Sequence, residues 1–329
     1  MIQVVLMEDY LDHAKSLASV KELASKTKLT IYTDRASSED ELIARLGQAE
    51  IVITIRDRVM FTSDVLARAS HLKLLSVCGP RLRPHVDLDA ATREGILVCK
   101  PQATNVTQTI HHATAELVWS LILGLVKKTV QNHSAMQQGA WQTGLGSGLY
   151  GKTMGVIGLG RVGLPVAQIG NAMGMRVLAW SPNLNAQKAA AVGVQAVSFD
   201  QLLSQSDVIS LNANLTDKSR CMINQQAIAK MKYGVYLVNT ARGDIVDETA
   251  LQQALDSGHV AGAGLDVFWQ EPLPVQSWVR NHPCVLMQPH MGGFTNEGYE
   301  WLIEPAVNNV LAYLNGDPKE MANPQVFGR

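Results

Sequence analysis

Cysteine is scarce in this 329-residue chain. Its four thiols, Cys78, Cys99, Cys221 and Cys284, form no C-x-x-C pair, so the spacing suits neither a zinc site nor a disulfide framework, and no metal site is predicted. Their mainly apolar flanks predict small buried side chains, reduced as in a cytoplasm. A block of like charge is also missing. Lys and Arg number 28 against 29 Asp and Glu, a formal net charge of −1, which excludes the basic footprint of a nucleic-acid or membrane-surface binder. Small molecules are therefore the expected partners. The longest apolar stretch, Leu117 to Val126, contains Trp, Ser and Gly and is too short to span a bilayer. The opening MIQVVLMEDYLDH lacks a signal peptide's basic start and cleavage site and reads as a first buried strand. Neither an internal repeat nor a low-complexity tract interrupts the chain.

What is present is ample apolar material, 47% of residues against 17% charged, in a chain long enough for two domains. Short β-branched runs alternate with amphipathic stretches. Gln3 to Met7, Leu29 to Tyr32, Ile51 to Ile55 and Leu74 to Val77 read as strands with helices between them. From Thr107 to Gln138 one long helix is expected, ending at Gly139, and the glycine-rich QTGLGSGLYGK after it reads as an irregular arm. A second series of strands follows near Met154 to Ile157, Arg176 to Trp180, Val208 to Asn212, Val235 to Asn239, Gly262 to Asp266 and Val285 to Met287. Alternation of this kind implies parallel sheets covered by helices on both faces. The final helical stretch, Thr295 to Asn315, has no strand after it and is expected to return to the first domain.

In KTMGVIGLGRVG a strand leads directly into Gly158-Leu-Gly160-Arg-Val-Gly163 and then a helix, the context in which a G-x-G-x-x-G motif binds a dinucleotide. The first glycine permits the turn, the second admits a pyrophosphate to the backbone, and the third lets helix and strand pack closely. The helix N-terminus adds a partial positive charge, and Pro165 is tolerated in its first turns. The expected cofactor contacts run from this loop (Gly158, Gly160, Arg161, Val162, Gly163) through Ser181 and Asn183 after the second strand to Asn212, Thr240, Ala241 and Asp266. An acid is expected at position 181 for NAD. Ser181 supplies no carboxylate to hold the ribose diol or repel a 2′-phosphate, and no Arg beside it favours NADP, so NAD and NADP both remain open.

Three further segments, VNTARGDIVDE, AGAGLDVFWQEP and MQPHMGG, each end a strand, where α/β sheets bind ligands. They bring Arg242, Asp266 with Glu271, and His290. Reduction of a 2-keto acid needs an anion holder, a proton donor and a hydride source over C2. Arg242 offers a planar fork for the substrate carboxylate, and His290 is the expected general acid in reduction and base in oxidation. A carboxylate at Glu271 favours the protonated imidazole. Asp266 either touches the nicotinamide end or orients its neighbours. The remaining histidines, His111 and His112 among them, read as polar surface or domain-edge residues, with His85 kept as a substrate-side candidate.

These motifs resemble the D-isomer-specific 2-hydroxyacid dehydrogenase family, over nearly the whole chain. The resemblance rests on GLGRVG, VNTARGDIVDE, GAGLDVFWQEPL and PHMGG. It implies catalytic roles for Arg242, Glu271 and His290 and an α/β fold of two Rossmann-like doubly wound parallel-sheet domains. Residues 1–103 plus 295–329 would form a discontinuous, flavodoxin-like substrate domain, and residues 104–294 the NAD(P)-binding domain, with the active site between. It also implies a homodimer joined through the Rossmann domain, which makes the long helix and the arm the expected interface. Two departures stand out. Where relatives carry a GxGxDN-like substrate loop, this chain reads Cys78-Gly79-Pro80-Arg81-Leu82-Arg83-Pro84-His85, so Gly79, Pro80 and Arg81 join Arg242 as substrate-side candidates of open specificity, and Arg81 with Arg83 either holds a second anionic group or faces solvent. Asn214 stands where relatives have Pro. Two other readings share the resemblance: an NAD-sensing regulatory protein of the corepressor kind, and a formate or phosphite dehydrogenase. Glu271 argues against formate, because the formate enzymes pair the histidine with Gln.

Overall fold

The computed structural model describes residues 1–82, 84–102 and 106–327, without the side chains of 106–109. It divides into two compact units, Met1–Thr107 with Asn296–Arg329, and Gln108–Thr295.

The first unit holds five parallel strands, β1 (Gln3–Met7), β2 (Lys28–Ile31), β3 (Ile51–Ile55), β4 (Leu74–Cys78) and β5 (Leu97–Cys99), in the order β2-β1-β3-β4-β5. That is the flavodoxin-like order, with its switch point between β1 and β3. Every residue of β3 and β4 is buried, as a sheet covered on both faces requires, so these strands read as continuous apolar runs. Each fully buried aliphatic side chain there contributes roughly 1.5–3 kcal/mol. Helix starts are fixed locally: Ser38, Thr62 and Asp87 accept hydrogen bonds from Glu41, Val65 and Ala90 backbone N–H groups, each capping an otherwise unsatisfied donor. Helix Asn296–Leu314 belongs to this unit, and the Ser76 hydroxyl donates to Ala306 O at 2.8 Å.

The second unit holds seven parallel strands, β6 (Thr153–Ile157), β7 (Arg176–Trp180), β8 (Gln195–Ala196), β9 (Val208–Leu211), β10 (Val235–Asn239), β11 (Val260–Leu265) and β12 (Val285–Met287). Their order, β12-β11-β10-β9-β6-β7-β8, reverses direction between β6 and β9, the crevice where dinucleotides bind in this architecture. Helix Val106–Val126 packs on this unit, and Trp119 Nε1 donates to Val166 O at 3.0 Å.

Three expectations need correction. β5 and β8 were not foreseen, because three and two residues carry too little pattern to register. The long helix is two helices, Val106–Val126 and Thr129–Gln137, broken at Lys128 with φ 53°. Its apolar period stops at the buried Val126, and the second helix has no buried residue, so no packing holds a common axis. Of the cysteines, Cys78 and Cys99 are buried, whereas Cys221 is exposed in a turn and Cys284 is half-buried. The segment after Gly139 is irregular, with Trp141, Leu145 and Tyr150 at 75%, 91% and 88% exposure. Among the described residues no helix is long and apolar enough to cross a membrane.

Candidate active site

The glycine loop lies between β6 and helix Gly163–Ala172, at the sheet's switch point. Gly158 has φ 96°, and a Cβ on it would lie 2.8 Å from Ala213 N. On Gly163 a Cβ would meet Gly158 O at 2.0 Å, whereas at Gly160 nothing lies within 4 Å. Gly158 and Gly163 therefore close the turn and Gly160 opens onto free space, a cradle any side chain would fill. Arg161 is exposed and Val162 half-buried ahead of a helix start that no side chain caps. Asn212 follows β9; its Nδ2 donates to Ser210 O and Oγ, while its buried Oδ1 has no partner. An open cradle, an uncapped helix start and an unsatisfied acceptor at one crevice fit a dinucleotide.

Ser181 follows β7, and its hydroxyl accepts the Leu159 N–H at 3.0 Å, tying the strand end to the glycine loop. Asn183 is exposed in the turn beyond it, and Thr240 and Ala241 are half-buried after β10.

At the same C-terminal edge of the sheet, the loops after β10, β11 and β12 carry Arg242, Glu271 and His290. Arg242 is half-buried, and its Nη1 donates to Ala241 O at 2.6 Å. Sequence reasoning missed Asn239, 1% exposed, whose Oδ1 accepts from Ala241 N at 3.0 Å and whose Nδ2 donates to Arg242 O at 2.8 Å. A polar residue ending an apolar strand was the available signal. His290 Nδ1 and Glu271 Oε2 are 2.6 Å apart, and Glu271 Oε1 accepts the Phe268 N–H at 2.9 Å.

Asp266, 1% exposed, spends both carboxylate oxygens on the loop after β12, accepting from Met291 N at 2.6 Å and Gly292 N at 2.9 Å. His290 N also donates to Asp266 O at 2.8 Å. Those bonds hold His290 at φ 56°, a left-handed conformation that costs a non-glycine residue roughly 1–2 kcal/mol. Of the two roles expected for Asp266, its contacts support orientation of neighbours. Burial pushes its carboxyl up to about 6, against the lowering effect of the two N–H groups and of His290.

The substrate-side candidates other than Arg242 lie in the first unit. Gly79 (φ 115°), exposed Pro80 and exposed Arg81 follow β4, and His85 is 3% exposed. Arg83 lies outside the described residues. Also missed from sequence is a cluster at the ends of β1 and β3. Glu8 bonds Tyr10, Asp9 bonds Tyr299, and Arg58 Nη1 donates to Glu8 O at 2.5 Å. Burial raises the Glu8 carboxyl above its usual range. The MEDY stretch, with acids ending a buried strand, was the signal for it.

Residues 119–292 match the family model described as D-isomer specific 2-hydroxyacid dehydrogenase, NAD binding domain. The chain belongs to the D-isomer specific 2-hydroxyacid dehydrogenase family. A D-3-phosphoglycerate dehydrogenase of Bacillus subtilis is 35% identical over 86% of this chain and 52% of its own length. A glyoxylate reductase of Thermococcus litoralis is 30% identical over 94% of both chains. The chain thus spans about half the length of the phosphoglycerate relative and nearly all of the glyoxylate one. The crystal structure of a phosphoglycerate oxidoreductase from Vibrio cholerae superimposes with a TM-score of 0.89 at 31% identity, covering 96% of this chain and 100% of that one. Family membership gives the glycine loop its expected ligand, since the matched segment contains Gly158, Gly160 and Gly163.

Proposed function

We propose that this chain is an NAD(P)-dependent dehydrogenase acting at C2 of a small 2-hydroxy or 2-keto acid of D configuration, with glyoxylate- or hydroxypyruvate-like substrates. The contact of 2.6 Å between His290 Nδ1 and Glu271 Oε2 carries the reading. It fixes the ring and leaves Nε2 to exchange a proton with the substrate oxygen. Bound nicotinamide dinucleotide supplies or accepts the hydride. Arg242 receives the substrate carboxylate on its planar guanidinium and polarises the keto oxygen beside it. His290 donates a proton to that oxygen in reduction and removes it in oxidation, and Glu271 stabilises the imidazolium that forms in oxidation. Asp266 and Asn239 hold the loops on which these groups stand.

The glycine loop, Asn212, Thr240 and Ala241 are assigned to the dinucleotide. Ser181 braces that loop, and no carboxylate follows β7 to repel a 2′-phosphate, which supports use of NADH with tolerance of NADPH. A glyoxylate reductase that aligns along 94% of its length supports a small substrate. Residues 1–103 with 295–329 are assigned to the substrate and 104–294 to the cofactor. Exposed Trp141, Leu145 and Tyr150 support a homodimer through the arm that carries them.

The test is oxidation of NADH and NADPH, in parallel, by glyoxylate, hydroxypyruvate, pyruvate and phosphohydroxypyruvate. Turnover of at least one keto acid is expected. A chain that binds NADH yet reduces none of them, or that reduces NAD only with formate or phosphite, refutes the reading.

A further inference from the structure

The catalytic reading leaves unused two tryptophans on the connection between β11 and β12. Trp269 Nε1 donates to Val246 O at 2.7 Å, and Trp278 Nε1 donates to Glu248 Oε1 at 3.0 Å. Their rings stack at a tilt, 6.4 Å between centroids. Both acceptors lie on the short stretch after Arg242, where a 3-10 turn (Gly243–Ile245) leads into helix Glu248–Asp256.

Backbone touches backbone just inside this pair of bonds. A Cβ on Gly243 would lie 2.3 Å from Phe268 O and 2.6 Å from Trp269 N, so the residue after Arg242 is pressed against the residues before Glu271. The Phe268 N–H is the donor to Glu271 Oε1, and Glu271 Oε2 faces His290. Contact is therefore continuous from the arginine loop through Phe268 and Trp269 to the glutamate–histidine pair. Each indole N–H finds its acceptor on the neighbouring loop, and two of them aimed at one three-residue stretch constitute a latch.

We propose that Trp269, backed by Trp278, is a positioning residue that latches the Arg242 loop to the loop carrying Glu271, setting the spacing between the anion-holding guanidinium and the acid–base pair. The inference rests on the catalytic roles proposed above for those three residues. Opening the latch lets the two loops slide apart, and misplacement on the order of 1 Å costs up to about 100-fold in rate.

Trp269→Phe keeps most of the ring and removes the donor. Expected are a kcat for keto-acid reduction lower by about tenfold, weaker binding of the unreactive keto-acid analogue oxamate to the NADH complex, and faster amide hydrogen exchange over residues 243–247. The Kd for NADH should stay as in the parent, because the glycine loop is untouched, while the Tm should fall by only a few degrees, the cost of leaving the carbonyl of buried Val246 without its donor. Trp278→Phe opens only the outer bond and should move the same readouts in the same direction by less. Parent-like kcat and exchange in Trp269→Phe overturn the latch, as does a loss of kcat that appears only with equal losses of NADH affinity and Tm. Should Trp269→Phe not fold, parent-like exchange and kcat in Trp278→Phe overturn it. Hydrogen exchange needs no substrate, so a parent protein inert towards every keto acid refutes the functional reading while the exchange result still decides the latch.

Discussion

Asp266→Asn isolates the cost of a buried carboxylate that serves the catalytic loop. In the folded chain burial raises its pKa from 3.8 to about 6. For a group shifted upward, the stabilising effect of proton uptake is fully present below the unfolded value and is lost as pH rises through the folded one. At 1% exposure solvent screening takes little from the shift. Linkage between pH 8 and pH 5 then gives the parent about 1.4 kcal/mol that the untitratable amide lacks. On top of this comes a cost independent of pH, because the amide NH2 cannot accept from one of the Met291 and Gly292 N–H groups; a buried donor left unpaired costs about 1–3 kcal/mol. The gap in stability, parent minus Asp266→Asn, should therefore be larger at pH 5 than at pH 8 by that amount of about 1.4 kcal/mol, whatever the pH-independent offset. Urea unfolding followed by tryptophan fluorescence reports mainly on the second unit, which holds Trp119, Trp141, Trp180, Trp269 and Trp278 against Trp301 in the first. Other titrating groups cancel in the difference between the two proteins. A gap equal at both pH values, or narrower at pH 5, refutes the argument.

Other substitutions separate the remaining roles. His290→Ala should lower kcat by roughly 100- to 10,000-fold, the usual worth of general acid–base catalysis, with NADH affinity by fluorescence titration unchanged. Gly160→Val meets no protein atom within 4 Å of its Cβ, so it should fold with a parent-like Tm yet bind NADH at least about tenfold more weakly, since the side chain enters the phosphate cradle; calorimetric titration checks it. Ser181→Asp should cut the ratio of kcat/KM for NADPH to that for NADH by about tenfold or more, because a carboxylate after β7 repels a 2′-phosphate.

How far the sequence spoke depended on how local each signal was. Strands such as Ile51–Ile55, buried on both faces, stood out because burial on both faces demands an unbroken apolar run. The glycine loop was legible because each glycine answers a steric demand within a few residues. Arg242, Glu271 and His290 each follow a strand, and parallel order brings strand ends to one edge, so their grouping followed from topology. The two-residue β8 and the break at Lys128 were hidden because nothing in composition marks them; LVKKTV continues as a helix by propensity. Partnerships across distant loops were equally silent. Asp266 with Met291, Trp269 with Val246 and Asp9 with Tyr299 are separated by 25, 23 and 290 positions, and no periodicity links such pairs.

The most direct test of the chemistry assigned to Arg242, Glu271 and His290 follows the hydride itself. Pyruvate or hydroxypyruvate, whichever turns over, is reduced with NADH carrying deuterium at the transferable C4 position, and the product is analysed by NMR and chiral chromatography. Deuterium at C2 of the D-hydroxy acid in the parent, with that product lost in His290→Ala at unchanged NADH affinity, is the expected result. Product of L configuration, deuterium absent from C2, or undiminished labelling in His290→Ala would contradict it.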